Sequence, residues 1–427
     1  MLFGVLRFIS KGWVYQLYIE PQYFFGYLGF EWVKPLDGNW MYLPFILMVI
    51  AAIGIILGAF YRVSAFVFFI CFTYAELLDK SNYLNHYYFV SLMSFLMILV
   101  PAHRRFSIDS WINPNILQKT TEQWHIGILK FQLAVVYIFA GIAKLNADWL
   151  FEAQPLRTWL QAHHNIPILG GLMQEKWLAF AFSWTGCIYD LFIVFFLLSN
   201  RFRPYAYFFV IFFHLVTWYL FPIGVFPWVM IFSTLIFFHT ETHQKVLNWL
   251  EGLFTKKERK TLITKPRATS PVLRYFLIVF IAAQLLIPFR YVLYPGDLFW
   301  NEEGFRFSWR VMLMHKEGYA TFYLHDKATG RESEINNAKF LTRTQEDQMA
   351  TQPDMILQYA RILKKHYDGK TLHYGDQKFK IEDPAIYARI YVTLNGRPSQ
   401  LFVDKKHDLA SLPYNLKHRE WIEPFAP

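Results

Sequence analysis

The pattern of apolar and polar positions divides the chain into two unlike parts. Up to about residue 294, long apolar runs follow one another with short polar breaks. Eight of them, near 41–61, 63–79, 84–101, 124–145, 177–199, 204–222, 223–239 and 272–294, approach the roughly 20 apolar residues a helix needs to cross a bilayer. Several are short and tightly joined, as at Tyr61-Arg62-Val63 and Phe221-Pro222-Ile223, which predicts a compact bundle with broken or half-buried helices. The run at residues 1–9 is too short to span and has neither a basic leader nor a small-residue cleavage site. It predicts a first span upstream of Met1 rather than a signal peptide. Residues 107–117 (SIDSWINPNIL) read as an interfacial segment.

Beyond residue 294 the period changes. Residues 320–326, 387–396 and 399–404 alternate apolar and polar positions, with turn residues at Lys327-Ala328-Thr329-Gly330 and Asn395-Gly396, which predicts half-buried strands joined by hairpins. Within 346–366, Met355, Tyr359 and Ile362 recur at helical spacing, so one helix is expected to pack on the sheet. The fold class expected is a polytopic α-helical membrane bundle of about eight or nine spans over 1–294. A small α+β, sheet-rich extracytoplasmic domain over 295–427 follows it, long enough to hold its own core.

Composition agrees with a membrane protein. Of 427 residues, 55% are hydrophobic, 20% aromatic and only 17% charged, against about a quarter charged in an ordinary soluble domain. The net charge of +10 does not argue for nucleic acid, because the basic residues gather in the loops. If the spans alternate, Arg62, Arg104, Arg105, Lys119, Arg201, Arg203, Lys245, Lys256, Lys257, Arg259, Lys260, Lys265 and Arg267 share one side. Lys34, Lys80, Arg157 and Lys176 are left on the other. The positive-inside rule makes the first side cytoplasmic. The loop 145–176 and the domain 295–427 then face the outer compartment: the periplasm, for a protein of a bacterial inner membrane, or the ER lumen. The two cysteines, Cys71 and Cys187, both lie in expected spans and read as small apolar residues rather than a disulfide framework or zinc site. No metal is expected.

Polar groups inside a bilayer are costly, so each is a functional candidate. Lys144, in YIFAGIAKLNADW (137–149), ends an apolar run. It reads either as a lysine snorkelling to the headgroups or as a desolvated amine able to act as a base, with Asn146 and Asp148 as nearby polar partners. Asn85 and His86, in LLDKSNYLNHYYF (77–89), read either as a helix cap with an interfacial histidine or as a pair that hydrogen-bonds an oxygen of a ring-shaped ligand. His214 sits mid-run among aromatic residues, where a satisfied core histidine is the plainer reading. In the charged start of the soluble domain (301–326), Arg306, Arg310, His315 and Tyr323 could receive an acidic substrate, since arginine binds carboxylates through a bidentate fork. The plainer reading there is a solvated strand face. No phosphate loop, nucleophile elbow, CxxC or dinucleotide fingerprint occurs.

At these same strings the chain resembles the vitamin K-dependent gamma-glutamyl carboxylases. LGAFYRVSAFVFFICFTYAELLDKSNYLNHYY is similar to their early spans, YIFAGIAKLNADW to their lysine-bearing segment, and FFHLVTWYLFPIGVFPWVMI to a later span. FSWRVMLMHKEG, DMILQYARIL and IYARIYVTLNGRPSQLFVD continue the likeness through the soluble part, so that it runs from about residue 40 to about 420. The membrane part resembles the horizontally transferred transmembrane domain of bacterial relatives. The resemblance implies an enzyme that oxidises reduced vitamin K, or menaquinol in a bacterium, to its epoxide with O2. That oxidation is coupled to adding CO2 to glutamate of a peptide or protein. It implies Lys144 as the base that deprotonates the hydroquinone, Asn85 and His86 as the pair that positions its oxygens, and His214 as lining the pocket. His315 and Tyr323 would handle the glutamate, with Arg310 added from the residue reading above. The chain departs from the family in ending after the first part of the long luminal region of the animal enzymes. It also carries Ala143 where the family has the first lysine of a Lys-Lys pair, and neither cysteine can form the family's membrane-to-lumen disulfide. A quinol oxidoreductase or oxygenase without carboxylation, and a non-enzymatic scaffold or transporter, are the competing readings. The protein substrate and the oligomeric state are not legible.

Overall fold

The computed structural model describes residues 1–118, 120–167, 169–254, 269–374 and 377–426. Its helices are α1 (Leu2–Ser10), α2 (Trp13–Tyr18), α3 (Tyr42–Leu57), α4 (Tyr61–Leu78), α5 (Asn85–Leu99), α6 (Ile108–Ile112), α7 (Gln123–Ala143), α8 (Ala147–Phe151) and α9 (Leu156–Gln161). They continue as α10 (Lys176–Leu198), α11 (Arg203–Leu220), α12 (Phe226–Thr234), α13 (Thr240–Phe254), α14 (Pro271–Leu286), α15 (Leu298–Asn301), α16 (Arg343–Met349) and α17 (Pro353–Tyr367). The strands are β1 (Lys316–His325), β2 (Glu332–Ile335), β3 (Thr371–Tyr374), β4 (Gln377–Lys380), β5 (Ala385–Leu394) and β6 (Gln400–Val403). The chain forms two compact units. One takes Met1–Lys11, Tyr42–Thr73 and Leu84–Ile287; the other takes Gly12–Met41, Tyr74–Tyr83 and Pro288–Pro427.

The first unit is helical. Among the described residues, 5 helices are long and apolar enough to cross a membrane: Gly38–Leu57, Tyr61–Leu78, Gln123–Ala143, Lys176–Leu198 and Pro271–Leu293. The pair Asn85–Leu99 and Ala102–Ile112, bent by 48°, makes up to 6 if it counts as one span. That is fewer than the eight apolar runs of the sequence. Arg203, His214 and several tyrosines dilute the apolar character of α11, and the short apolar helix Phe226–Phe237 falls well below the roughly 20 residues needed. α7 is the central helix: 61% of its apolar window is buried, against 17–39% for the other four. It packs on α5 and α14 through Leu96, Val100, Ile128, Leu129 and Leu277. The segment expected to be interfacial, 107–117, contains α6, which leaves Trp111 and Ile112 exposed. Its Asp109 accepts hydrogen bonds from Phe60 N and Tyr61 N at 2.7 and 2.9 Å, placing a carboxylate at the positive N-terminus of α4. Residues 240–254, expected as loop, form α13. Of the basic loop residues, Lys119, Lys256, Lys257, Arg259, Lys260, Lys265 and Arg267 lie outside the described residues.

The second unit is built on an antiparallel sheet of order β2-β1-β5-β6, with β3 and β4 forming a separate hairpin. β1 and β5 pair along their whole length, from Lys316 opposite Leu394 to His325 opposite Ala385. Alternation does what the sequence leads one to expect: Ala320, Phe322 and Leu324 of β1 and Ala388, Ile390, Val392 and Leu394 of β5 are buried. α17 covers this face. Met355, Ile356, Tyr359, Ala360 and Leu363 form its buried stripe, and the Tyr359 ring meets Phe322 edge-on at 4.8 Å. Ile362, expected in the stripe, is only half-buried because Leu363 takes the inward position.

Lys80, counted in the sequence as an outer loop cation, is not a surface charge. It is 1% exposed, and its Nζ lies 2.8 Å from Asp354 Oδ2 and 2.8 Å from Tyr414 Oη. Arg306 meets the same carboxylate at 2.6 Å. Burial pulls the Lys80 ammonium down to about 8, with Asp354 opposing the fall. Burial would raise the Asp354 carboxyl, but Arg306 and Lys80 together hold it well below the usual carboxylate range. The same stretch is tied down by Gln345, which donates to Asp79 Oδ2 at 2.7 Å and Tyr23 O at 2.8 Å, and by Gln358, which donates to Gly26 O at 2.8 Å.

Asp354→Asn leaves two buried cations without their counter-charge and is expected to cost about 3–5 kcal/mol of stability, read as a lowered unfolding temperature. Lys80 also gives a pH signature. Between about 8 and the ordinary 10.5, the unfolded chain holds a proton that the folded chain has released. This group therefore adds stability as pH rises through that window. The unfolding temperature of the wild type relative to Lys80→Met is expected to rise from pH 8 towards pH 10.5. A falling difference would contradict the burial of this amine.

Candidate functional site

The site in the helical unit starts from a close helix crossing. A Cβ on Gly141 would lie 2.7 Å from the Leu191 backbone nitrogen, so only glycine lets α7 and α10 approach this far. Gly186, Cys187 and Ser183 continue the small-residue face of α10. Ser183 and Trp149 bond reciprocally, Trp149 Nε1 donating to Ser183 O at 2.8 Å and the Ser183 hydroxyl to Trp149 O. Asn146 accepts from Trp149 N and caps α8, which fixes the indole.

At this crossing Lys144 meets Asp190. Lys144 is 6% exposed, and its Nζ lies 2.7 Å from Asp190 Oδ2 and 3.3 Å from Ala140 O, over the Trp149 ring at 5.2 Å. The lysine does not snorkel. Its partner is a carboxylate from the middle of α10, not Asn146 or Asp148. Among the described residues those two oxygens are its hydrogen-bond partners. Lys316, also buried, is saturated by three: Trp300 O, Glu302 Oε1 and Thr351 O. An ammonium has three donors, so Lys144 keeps one position for a further group.

A second cluster lies in the same unit. His214 is 3% exposed, and its Nε2 lies 3.3 Å from the Tyr137 hydroxyl, which also lies 3.4 Å from Thr234 Oγ1. Tyr137 stands on α7 and Tyr189 precedes Asp190 on α10; their rings meet edge-on at 6.0 Å. The Phe226 ring bridges two histidines, 5.5 Å from His86 and 6.1 Å from His214. Asn85 and His86 are the first residues of α5 and are half-buried. The structure thus brings His86 and His214 to one aromatic ring and Lys144 to a carboxylate. Asp190 and Tyr137 are the residues that sequence reasoning did not join to the site. The signal for Asp190 was available, since a carboxylate in mid-span needs a partner. Among the described residues, no three His, Cys, Asp or Glu side chains gather as a metal site would require.

The residues expected to receive an acidic substrate all lie in the second unit and do not converge. His315 precedes β1 and pairs weakly with Glu317 at 3.4 Å. Tyr323 lies eight residues further along, about 26 Å away at a strand's rise, with Lys405 Nζ over its ring at 4.0 Å. Arg310 is 7% exposed and stacks on Tyr291 at 4.3 Å. Around Arg310 runs a stretch with an unusual backbone: Glu302, Phe307, Trp309 and Met312 all have left-handed φ, between 54° and 61°. Such residues cost about 1–3 kcal/mol each and persist where surroundings hold them. Here Arg306 on Asp354, the Phe307 amide on the Tyr83 hydroxyl at 2.8 Å and the buried Trp309 do so.

The HTTM domain family matches residues 1–241, more than half of the chain. The lumenal domain of vitamin K-dependent gamma-carboxylase matches residues 269–427. The chain belongs to the vitamin K-dependent gamma-glutamyl carboxylase family. As in that family, a helical membrane part comes first and an extracytoplasmic domain follows, and the candidate spans and the antiparallel sheet fall in the corresponding parts. Membership implies a vitamin K-dependent reaction and a glutamate-containing protein substrate. No solved structure matches the chain.

Gly141→Val tests the geometry. The branched side chain must separate α7 from α10 and pull Asp190 from Lys144. We expect a lowered unfolding temperature and loss of any function that depends on Lys144, while Gly127→Ala, on the same helix with open space around it, changes neither.

Proposed function

We propose that this member of the family converts protein glutamate to gamma-carboxyglutamate while reduced vitamin K or menaquinol is oxidised to its epoxide, with Lys144 as the base for the hydroquinone. The observation that carries the reading is the buried Lys144–Asp190 pair at 2.7 Å with one of the three positions on the nitrogen left over, which in the neutral amine is the lone pair that takes the proton. A proton taken by Lys144 appears beside a carboxylate, so no isolated cation forms in an apolar interior, where it would be costly. Asp190 is a positioning residue: it orients the amine and neutralises the charge it gains.

The residues fit a quinol. A ring with two oxygens needs a base, hydrogen-bonding groups and apolar walls. Lys144 would serve as the base, Asn85 and His86 would bind oxygen, and His214, Tyr137 and Phe226 would line the ring. Bound here with O2, the quinol supplies the base strong enough to remove the γ-proton of glutamate, to which CO2 then adds. Helices around the site exclude water, which protects such a reaction. For the glutamate we propose His315, whose side chain is 33% exposed, with Arg310 and Tyr323 as secondary candidates. We place the protein in a bacterial inner membrane with the second unit periplasmic, in keeping with the basic loops.

The test is an assay for epoxide formation and labelled CO2 incorporation into a glutamate peptide. Lys144→Met is expected to lower both by about 100- to 10,000-fold, the usual contribution of a positioned base, and to lower the unfolding temperature because Asp190 loses its counter-charge. Lys144→Met combined with Asp190→Asn, which leaves no lone carboxylate, is expected to regain the stability and not the activity. Asp190→Asn is expected to lower both, less steeply. Epoxide without CO2 uptake in the wild type would instead favour a quinol oxygenase. Unchanged activity in Lys144→Met would remove the lysine from the chemistry.

A further inference from the structure

A cavity of about 790 Å³ in the helical unit lies between α1 and the turn that joins α11 to α12. That is within the range of small-molecule sites, about 300–1,000 Å³. Phe3, Trp218, Phe221, Trp228 and Phe232 line it, and Arg7 is its cation. Its two banks are held close. A Cβ on Gly4 would touch Val225 at 3.8 Å, and Gly224, at φ +64°, leaves room for the Arg7 guanidinium 3.5 Å from where a Cβ would stand. Phe3 is 80% exposed and Phe232 64% exposed, so the groove opens on the lipid-facing side of a membrane helix bundle.

What decides the occupant is continuity. Val225 forms the wall of the groove. The next residue, Phe226, places its ring between His86 and His214. A wall residue of the apolar groove and a wall residue of the proposed quinol-head site are therefore consecutive along the chain, Val225 and Phe226. We propose that this groove holds the polyprenyl side chain of the quinol and so selects its length, an inference that rests on the quinol reading of the head site. A chain arriving from lipid gains no hydrophobic free energy by leaving it. Selection must then come from packing against the aromatic walls, and it is lost when the walls change shape.

The test uses the full chain in nanodiscs and a menaquinone analogue with a diazirine in its prenyl chain, the crosslinks being mapped by mass spectrometry. Labels are expected on residues 1–10 and 218–233. Ser233→Trp, which fills the groove, should reduce them about tenfold, while labelling by a menadione probe with the diazirine on its ring stays unchanged. Labels confined to other helices, no label at all, or groove labels that a diazirine phospholipid reproduces and excess menaquinone does not displace, each overturn the proposal. The wild-type map stands even if the variant fails to fold. Groove labelling in a protein that forms no epoxide would defeat the carboxylase reading and leave this one. Epoxide formation with labels elsewhere would do the reverse.

Discussion

A charge can stay in the apolar interior of a helical bundle only if its opposite is brought to it, and the crossing of α7 and α10 is built around that requirement. Asp190 lies in mid-span, where a lone carboxylate is untenable. Lys144 ends the most buried of the five candidate spans. Neither helps the other unless the two helices nearly touch, and Gly141 supplies that closeness. The indole of Trp149, locked by Ser183 and Asn146, then covers the amine. Removing any of these elements disturbs the rest, because pairing, packing and capping act at one point.

The second unit uses buried charge differently. Asp354 stands between Lys80 and Arg306, and Lys316 meets three oxygens. These ions have their partners within the domain and serve to fix its loops, including the left-handed run from Glu302 to Met312. The Lys144–Asp190 pair has fewer ties. Buried ions that are fully satisfied hold a fold in place, whereas one with a position to spare is available to a ligand.

Much of this was legible in the sequence, for reasons that are local. The alternation of β1 and β5 reports burial directly, because side chains in a strand change face at every step. Lys144 and Asn85-His86 stood out because polar groups in apolar runs are rare. The partner of Lys144 was not legible. Asn146 and Asp148 are its chain neighbours, but Asn146 is occupied in capping α8 and the lysine reaches 46 residues along the chain to Asp190. That pairing follows from a glycine contact between helices, which no periodicity encodes. The burial of Lys80 escaped for the same reason: a lysine in a polar loop looks solvated until Asp354 and Tyr414 arrive from distant parts of the chain. Apolar length alone marked eight runs where five or six helices among the described residues meet the length and composition of a span, since α12 is apolar but short.

The second unit is sewn from three stretches of chain, two of them lying far ahead of the sheet in sequence. Cutting the gene just before Pro288 would therefore not release an independent soluble module. Gln345 and Gln358 would lose the oxygens they bond, and Asp354 would lose one of its two cations. Such a module could not be added to or removed from the chain without recasting the segments at 12–41 and 74–83 as well. The seam between membrane part and soluble part is thus drawn in space, and reading the chain from end to end hides it.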